Sequence, residues 1–399
     1  MPPSPLVSVL IPAYNAEATI AHTLASACRQ TYTALEILVV DDGSTDETAA
    51  RVRSVAARDS RVRLLRQSNQ GVAAARNHAL HAAHGSLIAP LDADDLWLPT
   101  KIERQVEQIQ AAGPGTGLVY TWWASIDAHD RVVGIAHPWR LTGHVLEALV
   151  HLNFIGNASV PLFRRDVLDA VGGYRTSLKA RGGQGCEDWD VALRVAEHTA
   201  CAVAPGYLVG YRATPRSMSS CTLQMATSFH LMMDDLTRRN DTLPRSVVRA
   251  SRGHFFDYLA GQAFGSGAPR TALRHAWESL RSDPARLLVP HLWRLFLYSI
   301  LAQWGSTIGS SAPPSGPPLH TLHNVPLSDL PQTAVYQAPG QKSRSWRPFD
   351  WVERWRWART RARCSKRPTR TASPCPSSAG DSGSLAASAP PPSLHTFSA

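Results

Sequence analysis

Three carboxylates lie within four residues in the sequence PLDADD (residues 90–95). Asp92, Asp94 and Asp95 directly follow an apolar run, where a buried strand would reach the surface. Like charges this close repel each other unless a cation lies between them or water solvates them. Carboxylate oxygens suit Mg²⁺ or Mn²⁺, ions that commonly join protein carboxylates to substrate phosphates. The cluster therefore predicts a divalent-metal site that holds a phosphorylated substrate.

Two further polar segments follow apolar runs nearer the N-terminus. One is Tyr14-Asn15 after VSVLIPA, and the other is Asp41-Asp42 at the end of EILVVDD. Ligands of open α/β sheets bind beyond the carboxyl ends of the strands, so all three polar segments are expected to meet in one crevice. Each segment alone also fits a plainer interpretation, because aspartates are common in turns, helix caps and solvated loops.

Strands and helices alternate over the first hundred residues. Short β-branched runs predict strands, and apolar residues spaced three and four apart predict a helix after each strand. Ser44 and Glu47 have the spacing of a capping box at the start of the second helix. The alternation predicts an α/β domain with a mostly parallel sheet between helices. The predicted strands are residues 7–13, 36–42, 61–65 and 86–92.

The remaining chain divides by composition. Shorter strands and helices alternate over about residues 115–215, and long helical patterns follow at 225–262 and 268–282. We therefore expect a helical region over residues 221–304. Pro, Ser and Gly dominate the sequence after it, so residues 305–399 are predicted to be a disordered tail.

The positive charge is concentrated in that predicted tail. The chain has a net charge of +10, and the eleven Lys or Arg residues between Lys342 and Arg370 face only Asp350 and Glu353. Net charge therefore says little about the partner of the folded part, and no nucleic-acid partner is expected. Residues 349–363 mix Trp with Arg, which fits a membrane-surface helix and an unstructured basic tail equally well.

Export, membrane spans and disulfides are not expected. Residues 1–15 lack the positive region of a signal peptide. The apolar run at 287–304 contains Pro290 and Arg294, which favours a buried or interfacial helix over a spanning one. The six cysteines are scattered without a C-x-x-C pair, which predicts reduced thiols. We expect a cytoplasmic protein that can bind the inner face of the membrane peripherally.

Five segments of the chain are VSVLIPAYNAE, VVDDGSTDET, NQGVAAARN, PLDADD and GGQGCEDWDVALR. In this order and spacing they resemble family 2 glycosyltransferases of the GT-A fold. The resemblance covers residues 6–220, with a nucleotide-binding half at about 6–115 and an acceptor half at about 116–220. It implies an inverting enzyme that moves a sugar from a nucleoside-diphosphate donor, with a UDP-sugar favoured, to a glycan or lipid-linked acceptor. It also implies a bound Mn²⁺ or Mg²⁺ ion.

The same resemblance implies roles for the residues at matching positions. Asp94 would be the main metal ligand, and Asp92 would bind the donor ribose directly or through the metal. Asp188 would be the general base, with Glu187 positioning sugar hydroxyls and Trp189 lining the acceptor site. The remaining donor-binding positions would be Pro12, Tyr14, Asn15, Glu17, Asp42 and Arg76.

One position departs from the pattern of the family. Relatives often have His where this chain has Thr214, and Arg216 is the candidate that would replace its contact with the diphosphate. The glycines at 182, 183 and 185 would let a loop close over the donor.

Plainer alternatives remain open from the sequence. Glu187-Asp188 also fits a pair that stabilises a helix N-terminus, Trp189 fits a core residue and Arg76 fits a helix surface. A non-catalytic nucleotide-sugar or glycan binding protein on the same fold is the main functional alternative. A nucleotidyltransferase is disfavoured, because no Gly-rich phosphate loop follows the first strand.

Overall fold

The structure, a computed structural model, describes residues 4–212 and 221–303. In these residues, nine strands form one sheet with helices around it. The strands are β1 (Val7–Ala13), β2 (Leu35–Asp42), β3 (Val62–Gln67), β4 (Leu87–Pro90), β5 (Leu96–Trp97), β6 (Thr116–Ile126), β7 (Val132–Ile135), β8 (Leu162–Arg164) and β9 (Ala200–Arg212).

Eight helices lie between or after these strands as far as β9, and four more follow it. The first eight are α1 (Ile20–Cys28), α2 (Thr48–Ala56), α3 (Val72–Ala82), α4 (Lys101–Ala111), α5 (Leu146–His151), α6 (Arg165–Ala170), α7 (Ser177–Ala180) and α8 (Glu187–Ala196). The last four are α9 (Thr222–Arg239), α10 (Arg245–Gly265), α11 (Pro269–Ser282) and α12 (Pro290–Gln303).

The sheet has a parallel half and a mixed half. Its strand order is β3-β2-β1-β4-β8-β6-β9-β5, with β7 paired to β6. The first four strands in this order are parallel, as the strand–helix alternation predicted. Beyond β4 the sheet is mixed, because β8 runs antiparallel to both of its neighbours while β9 runs parallel to β6.

Parallel pairing brings the polar strand ends to one edge. Ala13 at the end of β1 pairs with Asp41 at the end of β2. The two strands are buried along almost their whole length, as expected for parallel strands covered on both faces. Each large aliphatic side chain buried here contributes about 1.5–3 kcal/mol to the free energy of folding. The packed core therefore fixes the direction in which the strand ends point.

The acidic segment connects the two halves of the sheet. It leaves β4, which pairs with β1, and enters β5, which pairs antiparallel with the end of β9. Leu96 lies opposite Gly210 in this pairing. Residues 91–95 therefore cross the carboxyl edge of the sheet.

One of the two predicted C-terminal helical stretches is interrupted, whereas the other, 268–282, is confirmed as α11. The predicted helical stretch 225–262 is divided between α9 and α10, and Pro244 immediately precedes α10. No helix in the described part of the chain is both long and apolar enough to cross a bilayer.

One expectation about the cysteines is wrong. Cys28, Cys186 and Cys201 are free thiols, as predicted, but Cys221 is disulfide-bonded. Disulfide pairing depends on distance in the fold, which the spacing of scattered cysteines along the chain does not reveal.

Candidate active site

The loops after β1 and β2 hold each other in place. The amide of Asn15 donates to Ser44 Oγ at 3.0 Å, and Asn15 Oδ1 accepts the amide of Thr45 at 2.9 Å. Glu17 accepts the amide of Glu47 at 3.0 Å. The predicted capping box of Ser44 and Glu47 is wrong, because Ser44 bonds to the neighbouring loop and the amide of Thr48, the first residue of α2, donates to Asp46 Oδ1 at 3.0 Å. Asn15 and Glu17 thus shape the rim of the crevice.

Pro12 and Tyr14 differ sharply in exposure. Pro12 is buried inside β1, beyond Leu10, where the pairing of β1 with β4 ends. Its missing N–H therefore costs no hydrogen bond to β4. Tyr14 is 52% exposed, so its ring is free to pack on a ligand. Of these two predicted contacts, only Tyr14 offers its side chain to the crevice.

Asp42 is buried and already engaged. Its carboxylate accepts the side-chain amide of Gln67 and the backbone amides of Gln70 and Gly71, each at 2.8 Å. Gly71 precedes α3 with a φ of 94°, a conformation that glycine adopts easily. A carboxylate offers about four lone-pair sites, so about one remains for a ligand. Asp42 therefore fixes the start of α3 and keeps a single acceptor site free.

α3 carries Arg76 into a buried cluster of charges. The guanidinium is almost fully buried and forms an ion pair with Asp92. Its Cζ lies 5.2 Å from the ring centroid of Tyr174. Burial acts to lower the pKa of Arg76, but the charges of Asp92 and Asp188 outweigh it and raise the pKa. The surface-helix alternative for Arg76 is wrong, because the side chain lies inside the site.

Asp94 is the unpaired member of the acidic segment. In the described part of the chain, no side chain donates a hydrogen bond to its carboxylate, and it lies beside the charged Asp92. Burial and the neighbouring charge raise the pKa of Asp94 to about 6. A carboxylate in this state would be stabilised by a cation.

Both carboxylate oxygens of Asp95 accept hydrogen bonds from the protein. It is fully buried, accepts the Ser159 hydroxyl at 2.5 Å and accepts the backbone amide of Arg212 at 2.8 Å. Burial, together with the charges of Asp94 and Asp92, raises its pKa well above the ordinary value. Asp95 therefore anchors the acidic segment and is not available as a ligand.

The sequence analysis assigned no role to Ser159 or Arg212. The Ser159 hydroxyl also accepts the amide of Asp92 at 3.0 Å, so it holds both ends of the acidic segment. The guanidinium of Arg212 is buried and donates to the carbonyls of Asp94 and Asp127 at 2.7 and 2.6 Å. No local sequence pattern marks either residue, because both act on the acidic segment from distant positions in the chain.

Asp94 and Asp92 offer carboxylate oxygens to a divalent ion. Among the described residues, no three His, Cys, Asp or Glu side chains form a ready-made metal site. A Mg²⁺-type ion often uses only one or two protein carboxylates and takes its other ligands from substrate phosphates and water. The unpaired carboxylate of Asp94, with the partly exposed Asp92 beside it, fits that requirement.

Two acidic residues at the start of α8 face the same cluster. Burial raises the pKa of Asp188 to about 7, although the charge of Arg76 acts in the opposite direction. Asp188 Oδ1 accepts the amide of Trp189 at 2.8 Å. Glu187 accepts the amide of Gly185 at 2.8 Å, and burial raises its pKa too. Asp188 is thus a partly accessible carboxylate with a proton affinity suited to accepting a proton near neutral pH.

Tyr174 was also missed by the sequence analysis. Its hydroxyl is buried and has no hydrogen-bond partner among the described residues. Burial raises the pKa of Tyr174, and the charges of Asp92 and Asp188 add to the effect. Arg194 on α8 holds the neighbouring loop by donating to the carbonyl of Gly173 at 2.7 Å.

Trp189 is buried against the C-terminal helices, which favours the core alternative over its predicted acceptor role. The indole is buried and donates to the carbonyl of Leu149 at 2.9 Å. Its ring packs on Phe229 and Phe255, with centroids 5.6 and 5.9 Å away. Trp189 therefore joins α8 to the C-terminal helices, as the core alternative proposed.

The glycine-rich loop before α8 packs on α9. A Cβ at Gly183 would lie 2.7 Å from the Cα of Ser228, so only glycine permits this approach. Gln184 donates its amide to the carbonyl of Gln224 at 3.3 Å. Arg216, the remaining predicted contact, lies outside the described residues.

Comparison with known proteins places this geometry in context. The sequence model described as "Glycosyl transferase family 2" matches residues 8–168. Over 286 residues, the chain is 35% identical to the succinoglycan biosynthesis protein ExoU of Rhizobium meliloti (strain 1021), covering 65% of this chain and 80% of ExoU.

Another relative is similar over a shorter stretch. The chain is 45% identical over 105 residues to the Escherichia coli protein named "UDP-Glc:alpha-D-GlcNAc-diphosphoundecaprenol beta-1,3-glucosyltransferase WfgD". That stretch is 26% of this chain and 41% of WfgD, so the chain spans about two fifths of this relative.

A solved structure shares the fold. The crystal structure of S. aureus TarS residues 1–349 superposes with a TM-score of 0.50 at 17% identity, covering 75% of this chain and 87% of TarS 1–349. The expected GT-A fold is confirmed. Because the similarity to ExoU extends over four fifths of that relative and the family model covers the strands that build the crevice, the chain belongs to glycosyl transferase family 2.

Proposed function

We propose that the protein is an inverting glycosyltransferase that moves a sugar from a nucleoside-diphosphate donor to an acceptor hydroxyl. The observation that carries this proposal is the electrostatic cluster around Arg76. Arg76 forms an ion pair with Asp92, which lies next to Asp94. The charge of Arg76 also acts to lower the pKa of Asp188. An acidic site for a cation and a carboxylate with raised proton affinity are thus linked through one buried cation.

The two ends of the cluster suit the two ends of a displacement reaction. Asp94, with Asp92, would hold a divalent ion, which neutralises the charge that develops on the departing diphosphate. Asp188 would take the proton of the acceptor hydroxyl as its oxygen bonds to the anomeric carbon. The bond from that carbon to the diphosphate oxygen breaks in the same step, with inversion. Glu187 would orient sugar hydroxyls beside Asp188.

The nucleotide would lie at the β1–β2 side of the crevice. Tyr14 supplies an exposed ring, and Asp42 has about one acceptor site left for a base N–H. Asn15 and Glu17 would act by holding the rim, since their side chains accept backbone amides of the neighbouring loop. Arg76, held in position by its ion pair with Asp92, would lie beside the diphosphate or the ribose.

The choice of donor and acceptor is supported by the names of relatives. The name of WfgD specifies a UDP-glucose donor and a lipid-diphosphate acceptor, and ExoU is named for succinoglycan biosynthesis. We therefore propose a UDP-sugar donor, a glycan or lipid-linked acceptor, and a role in polysaccharide biosynthesis at the cytoplasmic membrane face.

Donor hydrolysis tests this proposal without knowledge of the acceptor. Purified protein is incubated with a panel of UDP- and GDP-sugars and Mn²⁺, and release of the nucleoside diphosphate is measured. We expect slow hydrolysis of at least one donor, with a loss of about 10²–10⁴-fold in Asp188→Asn. Tight donor binding with a rate unchanged in Asp188→Asn would favour the non-catalytic alternative. No binding and no turnover with any donor would overturn the proposal.

A further inference from the structure

An exposed apolar face lies at the C-terminal end of the described chain. We call it the α12 face, and it consists of Leu287, Leu288, Trp293, Leu297 and Ile300. Leu288 is 80% exposed, Trp293 is 51% exposed and Leu297 is 55% exposed. Isolated apolar residues on a surface are ordinary, but five large ones within fourteen positions form a patch that points to an interaction.

Contacts in the structure show that the α12 face is continuous. Trp293, Leu297 and Ile300 are spaced four and three apart, so they share one side of α12. The indole of Trp293 donates to the carbonyl of Leu287 at 2.9 Å, which joins the helix to the preceding 3₁₀ turn.

The opposite side of α12 is already occupied by protein. Leu292 is buried and packs with Ala260 of α10 and with Ala276 and Leu280 of α11. A surface helix normally turns its polar side outward once its apolar side is packed. α12 instead presents apolar residues on both sides, so packing among the described residues does not explain the α12 face.

Exposed arginines lie on α12 and on α11, which packs against it. Arg270, Arg274 and Arg281 are exposed on α11, and Arg294 is exposed on α12. Acidic residues are fewer, and one of the two in residues 269–303, Asp283, forms an ion pair with an arginine of α10. The sequence that follows carries the eleven basic residues between positions 342 and 370. Exposed Trp and Leu flanked by Arg are the composition of a surface that binds anionic lipid headgroups.

We propose that the α12 face docks on the surface of an anionic lipid bilayer, with Leu288, Trp293 and Leu297 inserted among the headgroups and the arginines against lipid phosphates. This inference does not depend on the proposed transferase activity, since it concerns a surface on the C-terminal helices. No helix crosses the bilayer in this arrangement; α12 lies along it.

Vesicle flotation with the full chain tests the proposal. The probes are vesicles of phosphatidylglycerol mixed with phosphatidylcholine, and vesicles of phosphatidylcholine alone. The variant is Leu288→Ser with Leu297→Ser, and the matched control is Leu223→Ser on α9, a leucine of 49% exposure. Both changes are at exposed positions, so folding is not at stake.

We expect the wild type to float with the anionic vesicles and to remain in the bottom fraction with the neutral vesicles. The double variant should lose affinity by roughly tenfold or more, because each leucine contributes through its buried apolar area. Leu223→Ser should behave as the wild type.

Three results would overturn the proposal. The first is failure of the wild type to float, or equal flotation with neutral vesicles. The second is flotation of the double variant equal to that of the wild type, which would assign binding to the basic segment 342–370. The third is a concentration-dependent dimer that the double variant abolishes while vesicle binding is unchanged, which would assign the face to a second copy of the chain.

Discussion

Replacing Asp188 with Asn should stabilise the protein while removing its activity. The carboxylate is mostly buried, and burial raises its pKa from 3.8 to about 7. The charged form is therefore disfavoured in the folded state relative to the unfolded state. Asn keeps the oxygen that accepts the amide of Trp189 but carries no charge, so the change isolates the cost of the charge.

The size and the pH window of this effect follow from the pKa shift. A carboxyl with a raised pKa binds its proton more tightly in the folded protein, so its contribution to stability falls as pH rises from about 4 to about 7. A shift of about three units corresponds to about 4 kcal/mol at most. Because Asp188 keeps some contact with solvent, we expect about 2 kcal/mol.

Urea unfolding of both proteins at pH 5 and pH 8 measures this difference. We expect Asp188→Asn to be more stable than the wild type by about 2 kcal/mol at pH 8, with a smaller gain at pH 5. The matched control is Asp169→Asn, an exposed carboxylate on α6, which should show no comparable gain at either pH. A less stable Asp188→Asn protein, or a gain that is independent of pH, would refute the assignment of Asp188 as a desolvated base.

Three further substitutions test other parts of the site. Trp189→Ala should lower the free energy of unfolding by about 3–5 kcal/mol, because it empties a packed site between helices; a loss below about 1 kcal/mol by urea unfolding would contradict the core role. Tyr174→Phe should leave stability unchanged or raise it by up to about 1 kcal/mol, since the hydroxyl has no partner among the described residues; a clear loss in the urea midpoint would reveal a hidden partner. Ser159→Ala should cost about 1–3 kcal/mol and weaken donor binding in calorimetry, since it removes the partners of Asp95 Oδ2 and of the Asp92 amide; intact stability would show that the acidic segment holds its conformation without Ser159.

The parallel half of the sheet was predictable because its signals are local. The β-branched runs of β1 and β2 and the apolar spacing of the helices between them each lie within a dozen residues. The pairing of β5 with the end of β9 joins residues more than a hundred positions apart, and no local pattern encodes it. The anchoring of Asp95 by Ser159 and by Arg212 was hidden for the same reason.

The burial of Trp189 follows from helix geometry. Adjacent residues of a helix point about 100° apart, so they do not share a face. If Asp188 faces the crevice, Trp189 must turn toward the packed side of α8, and the structure places it there. The role of Asp42 could not be predicted in this way. Its carboxylate accepts the amide of Gly71, a contact between two loops that only the fold reveals.

Asp94 and its neighbours should bind a divalent ion and a nucleoside diphosphate together. The most direct test compares the thermal stability of the protein with UDP, with Mn²⁺, and with both. We expect the shift with both ligands to exceed the sum of the separate shifts, because each ligand favours binding of the other in one site. Asp94→Asn should lose this excess. Shifts that simply add in the wild type, or an excess that survives in Asp94→Asn, would contradict the account.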